Sequence, residues 1–394
     1  MVAPRTEILP FRYLFGPGPG NAYPEVMAAL SHPVIGHLDP AFIDRLDRVS
    51  DGLRQVWGTQ NARTWPVSAT GSGGMEAAFV NFVEPGDPVV VAVNGLFGER
   101  MAEVARRCGA DVVRVDHEWG QPVDAERVLA AHPNPKIIAA VHAETSTGVR
   151  SDISALGAGK GDALLLVDAV TSIGGLELRA DAWGIDIGYA GTQKCLGVPP
   201  GLAPFTVSER AFERRVKDPR SWYFDIGLLG GYVGAAEGHT RTYHHTAPVT
   251  MVAGLEAGLA RILAEGLPAV WARHEAAGAA LREGLEHMGL ELFAAEGHRL
   301  PSLTTVKVPD GVSSARVRQI LLEQYSMEIG AGVGKFADTV WRIGLMGPNA
   351  DPASITLVLG ALGEAIAASR QNTARQNTAG QNTAGQNTAG QNTA

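Results

Sequence analysis

Cysteine is nearly missing from this chain: 394 residues contain two, Cys108 and Cys195. Two thiols cannot build a disulfide framework or a four-cysteine zinc site, and they fit a reducing cytosol. Long apolar runs are also missing, none approaching the ~18 consecutive residues that a membrane-spanning helix needs. The N-terminus, Met1-Val2-Ala3-Pro4-Arg5-Thr6-Glu7, has no continuous apolar core of a secretory leader. The C-terminus, Gln391-Asn392-Thr393-Ala394, is not a peroxisomal or retention address. There is no basic cluster either. The 33 Lys and Arg against 41 Asp and Glu leave a net charge of −8 without long like-charge blocks, which argues against a nucleic-acid partner. These absences predict a cytoplasmic protein that binds neither membrane nor nucleic acid.

What is present is ordinary globular composition, 45% apolar and 19% charged. The length suggests two or three domains. From Gln371 onward the pentad Gln-Asn-Thr-Ala-Gly repeats, with Arg375 replacing the first Gly. Such a polar, aromatic-free segment cannot bury enough apolar surface to offset its ordering entropy, so a disordered tail is expected. Before it, short apolar runs without alternation recur at residues 88–93, 111–115, 137–141, 164–167, 185–189 and 202–207. They suit strands covered on both faces. Helical stretches separate several of them, such as 98–108 and 124–132, the latter with Asp124 as N-cap. This alternation implies βαβ units and an α/β fold with a mostly parallel sheet. After about residue 250, Ala/Leu/Glu-rich helices dominate and enclose strand-like runs at 303–308 and 340–344, which reads as a smaller α+β domain. In open α/β folds the ligand sits at the carboxyl ends of the parallel strands.

Three features carry chemistry in that setting. Thr70-Gly71-Ser72-Gly73-Gly74 opens a helix, a cradle of N–H groups at the positive end of a helix dipole that suits phosphate. It is neither a dinucleotide fingerprint, which needs glycine where Glu76 stands, nor a P-loop, which needs a Gly-Lys-Ser/Thr ending. Asp168 ends the run Leu164-Leu165-Leu166-Val167, where a buried acid is costly without a partner. Lys194, 26 positions further on, lies among Gly, Thr and Cys, a poorly solvated setting that makes a nucleophilic amine. Each alone has a bland reading, as a glycine turn, a capping Asp and a surface charge. Together and in that order they are the parts needed to hold pyridoxal 5'-phosphate: a phosphate anchor, a partner for the pyridine nitrogen, and a Schiff-base amine.

The sequence here resembles the class V, fold type I pyridoxal-phosphate aminotransferases, of the alanine–glyoxylate or serine–pyruvate type. The resemblance covers about residues 8 to 368. It rests on Gly16-Pro17-Gly18-Pro19-Gly20-Asn21, residues 71–78, Glu84-Pro85-Gly86-Asp87, Glu144-Thr145-Ser146-Thr147-Gly148 and Gly191-Thr192-Gln193-Lys194 with Pro199-Pro200-Gly201. Tyr243-His244-His245-Thr246-Ala247-Pro248 and Trp341-Arg342-Ile343-Gly344 complete the set. It implies an N-terminal arm (1–15), a large cofactor domain (16–264) and a small C-terminal domain (265–370), ahead of the repeat tail (371–394). It also implies Lys194 as Schiff-base lysine and proton shuttle, and Asp168 on the pyridinium nitrogen. Phe97 falls where the family stacks an aromatic ring, often Trp; its bland reading is a core ring. Thr70, Gly71, Ser72 and Gln193 would hold the phosphate, and Thr145 would sit beside the ring hydroxyl. Tyr243 and Thr246 match residues that reach the phosphate from the neighbouring subunit, which implies a homodimer with shared sites. The pair His244-His245 is not read as a metal site, because adjacent residues of a strand point to opposite sides. Arg342 would clamp the substrate α-carboxylate bidentately.

The expected substrates are small, because the glycines at 16–20, Gly18 among them, suggest a tight site and no second arginine stands out for a side-chain carboxylate. Alanine, serine or glycine would be donors, with glyoxylate or pyruvate as acceptor. The nearest rival is the ureidoglycine–glyoxylate aminotransferase group, which tends to carry Asn in place of Tyr243 and other residues in place of Ala247-Pro248. Pyridoxamine–pyruvate and aminoethylphosphonate transaminases stay open. Cysteine desulfuration fits poorly, since it needs His where Gln193 stands and a reactive cysteine in the last third.

Overall fold

Uninterrupted runs of Val, Ile, Leu and Ala become strands whose two faces are both covered. In the computed structural model, which describes residues 9–233 and 241–389, seven strands join in one sheet. Their order is Arg63–Val67, Ala203–Val207, Ile187–Tyr189, Leu164–Asp168, Ile137–Val141, Pro88–Val93, Asp111–Asp116. The last five run parallel, and Ala203–Val207 is antiparallel to both its neighbours. Every residue of Leu164–Asp168, at the centre, is buried. Pro66 lies in Arg63–Val67, at the sheet edge, where a missing N–H costs no ladder bond.

The strand Arg63–Val67 and the helices Pro24–Leu30 and Pro40–Trp57 go beyond the runs the sequence patterning singles out. The second helix is nonetheless punctuated by the usual signals. Asp39 caps it by accepting from Ala41 N–H, Pro40 stands first, and Gly58 at φ 63° ends it in the left-handed region. Its buried face, including Phe42, Leu46, Leu53 and Trp57, joins the main core, which runs from Tyr23 to Val270.

A second core belongs to the C-terminal part. The antiparallel strands Leu303–Lys307, Val340–Gly344 and Gly330–Ala331 form a sheet with Val340–Gly344 in the middle. The helices Leu267–His287, Ser314–Tyr325 and Pro352–Ala389 contribute to the same core. The N-terminal arm also belongs here. Tyr13–Leu14 pairs in parallel with Met327–Glu328, and Phe15 is buried in the second core. Residues 1–8 of the expected arm, and 390–394 of the expected tail, lie outside the described residues.

The last helix spans Pro352–Ala389 and so runs on from its packed part into the repeat. Extending an existing helix adds one hydrogen bond per residue without a new nucleation step, so a low-complexity segment can follow a packed helix. Residues 352–371 are long and apolar enough to cross a membrane by length and composition. Their buried side chains Val358, Ala361, Leu362, Ala365 and Ile366 instead fill the second core. The buried series ends at Ser369. A chain truncated after Arg370 is therefore expected to keep its thermal midpoint and its activity. A midpoint lowered by more than about 2 °C in differential scanning fluorimetry would show that the repeat packs against the body.

Candidate active site

The helix Gly71–Val80 starts at the carboxyl side of the sheet with its first amides unsatisfied by any capping side chain. Thr70, the N-cap, makes no side-chain cap bond. Gly74 lets this helix lie close to the sheet: a Cβ there would stand 3.0 Å from Ala203 Cβ and 3.2 Å from Tyr189 Cβ. Gln193 Oε1 is buried without a hydrogen-bond partner among the described residues. These groups face a cavity of about 200 Å3, whose walls also include Phe97, Asp168 and Lys194. Seven residues singled out from the sequence thus converge: Thr70, Gly71, Ser72, Phe97, Asp168, Gln193 and Lys194. Met75, Arg100 and Val170 complete the wall. A roomier hollow of about 350 Å3 lies by His142, Arg150 and His298, but it contains neither a nucleophilic amine nor an open helix N-terminus.

Asp168 is 3% exposed. Oδ1 accepts from Val170 N–H and Oδ2 from the Tyr189 hydroxyl, each at 2.8 Å. Burial nevertheless raises its carboxyl to about 6, against the lowering effect of those bonds and of the Lys194 and Arg100 charges. Lys194 is 7% exposed, and its Nζ donates to the Pro17 carbonyl oxygen. Burial lowers its ammonium to about 8, and the nearby Arg342 charge pushes in the same direction. Gly18, at φ 109°, passes so close that a Cβ there would lie 2.5 Å from Lys194 Nζ. Only glycine leaves room for the amine.

Phe97 is held by a carboxylate that the sequence reading did not assign. Glu144, fully buried, accepts from the N–H groups of Phe97 (3.1 Å) and Gly98 (3.2 Å) through Oε2. Its Oε1 accepts from the Ser146 amide and hydroxyl. The Ser146 hydroxyl in turn accepts from Leu96 N–H at 2.9 Å. A carboxylate from the short strand Ala143–Glu144 therefore caps the helix Leu96–Arg107, whose own N-cap, Gly95, has no side chain to do so. Burial raises the Glu144 carboxyl from its ordinary value. Arg100, on the same helix, is likewise absent from the motif reading. It donates to Ser72 Oγ at 3.2 Å, with its guanidinium 4.9 Å from the Phe97 ring centroid. Thr145 does not line the cavity; its Oγ1 meets Thr171 Oγ1 at 3.2 Å.

Arg342 also stands outside the cavity wall, and the strand alternation explains its place. Trp341 and Ile343 turn into the second core, so Arg342 between them faces the other way. It donates to the carbonyls of Ala331 (2.7 Å) and Thr145 (3.4 Å) and pairs with no carboxylate among the described residues. Tyr243 is 61% exposed and Thr246 is exposed, and neither reaches this chain's own cavity. The argument from a strand at His244-His245 needs correction: residues 241–248 form no strand. The two rings meet at Nδ1···Nδ1 2.8 Å, His245 reaches Ser68 Oγ at 2.7 Å, and His244 stacks on Trp222. Burial lowers the His245 imidazolium to about 4, which suits a neutral packing group. Neither thiol is poised for chemistry. Burial raises that of Cys108 from its ordinary value and that of Cys195 to about 11.

The cavity thus combines an anion cradle, a buried carboxylate and a lysine whose basicity is lowered to about 8, which raises its free-base fraction at neutral pH. The uncapped first turn of Gly71–Val80 and the Arg100 guanidinium, which pairs with no carboxylate among the described residues, fit a group with a phosphate at one end. Asp168 fits a protonated ring nitrogen, and Lys194 an aldehyde. These residues match pyridoxal phosphate in charge and in functional groups.

Comparison with known proteins agrees. The family model described as aminotransferase class V matches residues 12–336. The alanine–glyoxylate aminotransferase of Drosophila melanogaster is 40% identical over 94% of this chain and 96% of its own length. The crystal structure of the alanine–glyoxylate aminotransferase from Nostoc sp. superposes with a TM-score of 0.89 at 43% identity, covering 92% of this chain and 97% of that one. The ureidoglycine–glyoxylate aminotransferase structure from Bacillus subtilis also gives a TM-score of 0.89, at 37% identity, covering 93% and 95%.

The lowered basicity of Lys194 is measurable without any ligand. In the cofactor-free protein, reductive methylation of Lys194 followed by mass spectrometry is expected to rise with a midpoint near pH 8. Ordinary exposed lysines titrate at about 10.4. A Lys194 midpoint at or above 10 would show that the amine is solvated, contrary to this geometry.

Proposed function

Because the chain belongs to the class V aminotransferases, we propose that it transfers the amino group of a small amino acid, L-alanine or L-serine, to a small 2-oxo acid, glyoxylate or pyruvate. The observation that carries this reading is the convergence of Lys194, Asp168 and the Thr70–Ser72 cradle on one cavity.

When bound, pyridoxal phosphate supplies an aldehyde that bonds to amines and a ring that takes up electrons from the substrate's α-carbon. The protein's own groups do the rest. Thr70, the Gly71 and Ser72 amides and the Gln193 side-chain amide would hold the phosphate, with the Arg100 guanidinium beside Ser72 adding positive charge. That bond to Ser72 places Arg100 at the phosphate end, so it is not the missing second arginine for a side-chain carboxylate. Asp168 would hold the proton of the ring nitrogen and Phe97 would pack on the ring, while Thr145, assigned to the ring hydroxyl, stands just outside the cavity wall with its Oγ1 on Thr171 Oγ1. Lys194 would be the amine that holds the cofactor's aldehyde. The same amine is the base placed to take the substrate's α-proton. An amine lowered to about 8 has an appreciable free-base fraction at neutral pH. Arg342 binds the α-carboxylate through two parallel hydrogen bonds.

Tyr243 and Thr246, exposed on the free chain, are the residues we assign to a partner subunit's phosphate. The exposed Trp222 (61%) and Tyr223 nearby offer apolar surface for that homodimer to cover. Two unpaired thiols, Cys108 and Cys195, suit a cytoplasmic location.

Steady-state rates with glyoxylate as acceptor test the donor assignment. The kcat/KM for L-alanine is expected to exceed that for (S)-ureidoglycine at least tenfold, and the reverse order would transfer the protein to the ureidoglycine branch. Arg342→Lys is expected to weaken alanine binding by about 1.5–3 kcal/mol, read as KM. An unchanged KM would place the carboxylate clamp elsewhere.

A further inference from the structure

Asp168 and Tyr189 are register partners on adjacent parallel strands of the central sheet. Both side chains are buried, at 3% and 0% exposure. The bond from Val170 N–H to Oδ1 is local, made by the turn that Asp168 itself begins. The bond from the Tyr189 hydroxyl to Oδ2 comes from a different strand and fixes the second oxygen. The phenol ring cannot swing away, because the helix Gly71–Val80 sits on it at Gly74, where a Cβ would stand 3.2 Å from Tyr189 Cβ. The residue that orients the carboxylate is therefore also the floor under the phosphate cradle. Three charged groups act on Asp168 from other elements: Lys194, Arg100 and Glu144. None of them forms an ion pair with it among the described residues, which leaves Tyr189 as the side chain in direct contact with the carboxylate.

We propose that Tyr189 is a positioning residue, whose hydroxyl holds the Asp168 carboxylate in the anionic form and in the one orientation that serves a protonated ring nitrogen. This rests on the cofactor reading above. A phenol that donates to a carboxylate stabilises the anion over the neutral acid. Burial and the neighbouring carboxylate keep Tyr189 itself well above its ordinary ionisation range, so it stays a donor across the working pH. A buried Asp168 without this bond is free to take up a proton and would no longer offer a counter-charge to the ring.

The test is binding of pyridoxal phosphate to the stripped protein, followed by quenching of intrinsic fluorescence from pH 5 to 8.5. Native affinity is expected to weaken below about pH 6, where Asp168 protonates. The cofactor's own ionisations are common to all variants and cancel in the comparison. Tyr189→Phe keeps the ring and is expected to move the acid limb up by about one pH unit, weakening binding about fivefold at pH 6. Incorporation of 3-fluorotyrosine at position 189, a more acidic donor, is expected to move the limb the other way. Asp168→Asn is expected to abolish the limb, and Tyr189→Phe added to it to change nothing further. A Tyr189→Phe curve that superposes on the native one overturns the inference, as does an effect of Tyr189→Phe that persists undiminished with Asp168→Asn. A native protein that binds no pyridoxal phosphate at all overturns the cofactor reading together with this inference.

Discussion

Burying a carboxylate and an amine in the wall of one cavity sets the constraint to which the rest of this structure responds. Asp168 and Lys194 are both almost fully buried, and burial pulls each toward its neutral form: the acid up to about 6, the amine down to about 8. A low-dielectric site of that kind persists only where fixed dipoles and hydrogen bonds replace water. Val170 and Tyr189 do this for Asp168, and the Pro17 carbonyl does it for Lys194. The same need recurs one layer out. Glu144 is buried because four donors surround it, and those donors fix the start of the helix that presents Phe97.

The two cores divide the work. The main core holds the sheet rigid, so that Asp168, the Thr70–Ser72 turn and Lys194 keep their spacing. The second core carries Arg342 on the free face of its middle strand, opposite Trp341 and Ile343. The segment Gly16–Gly20 links them: Gly20 N–H donates to Gln193 O, Gly344 N–H donates to Phe15 O, and Gly18 lies against Lys194. The arm that begins the chain is thereby built into both the nucleophile's surroundings and the small domain.

Much of this was legible in the sequence, for physical reasons. Strands buried on both faces read as unbroken apolar runs, and the runs near 137–141 and 164–168 match the observed strands to within a residue. The cradle, Asp168 and Lys194 announce themselves through glycine, a misplaced charge and small neighbours. Arg63–Val67 did not, because Pro66 argues against a strand except at an edge. Glu144, Arg100 and Tyr189 were not assigned because their roles depend on bonds between segments 21 to 47 positions apart, and single-sequence patterning holds no signal for those. At His244-His245 only the strand argument fails, for a related reason: alternation applies to a strand, and here the segment is a loop tied down by Ser68 and Trp222.

The central claim is that a buried lysine, a buried carboxylate and an anion cradle make one transamination site. The most direct measurement is the visible absorption spectrum of the purified protein loaded with pyridoxal phosphate, before and after L-alanine is added without any oxo acid. The account predicts a yellow band that bleaches as the amino group passes to the cofactor, and that returns when glyoxylate is added. A protein that remains colourless after incubation with pyridoxal phosphate would contradict it.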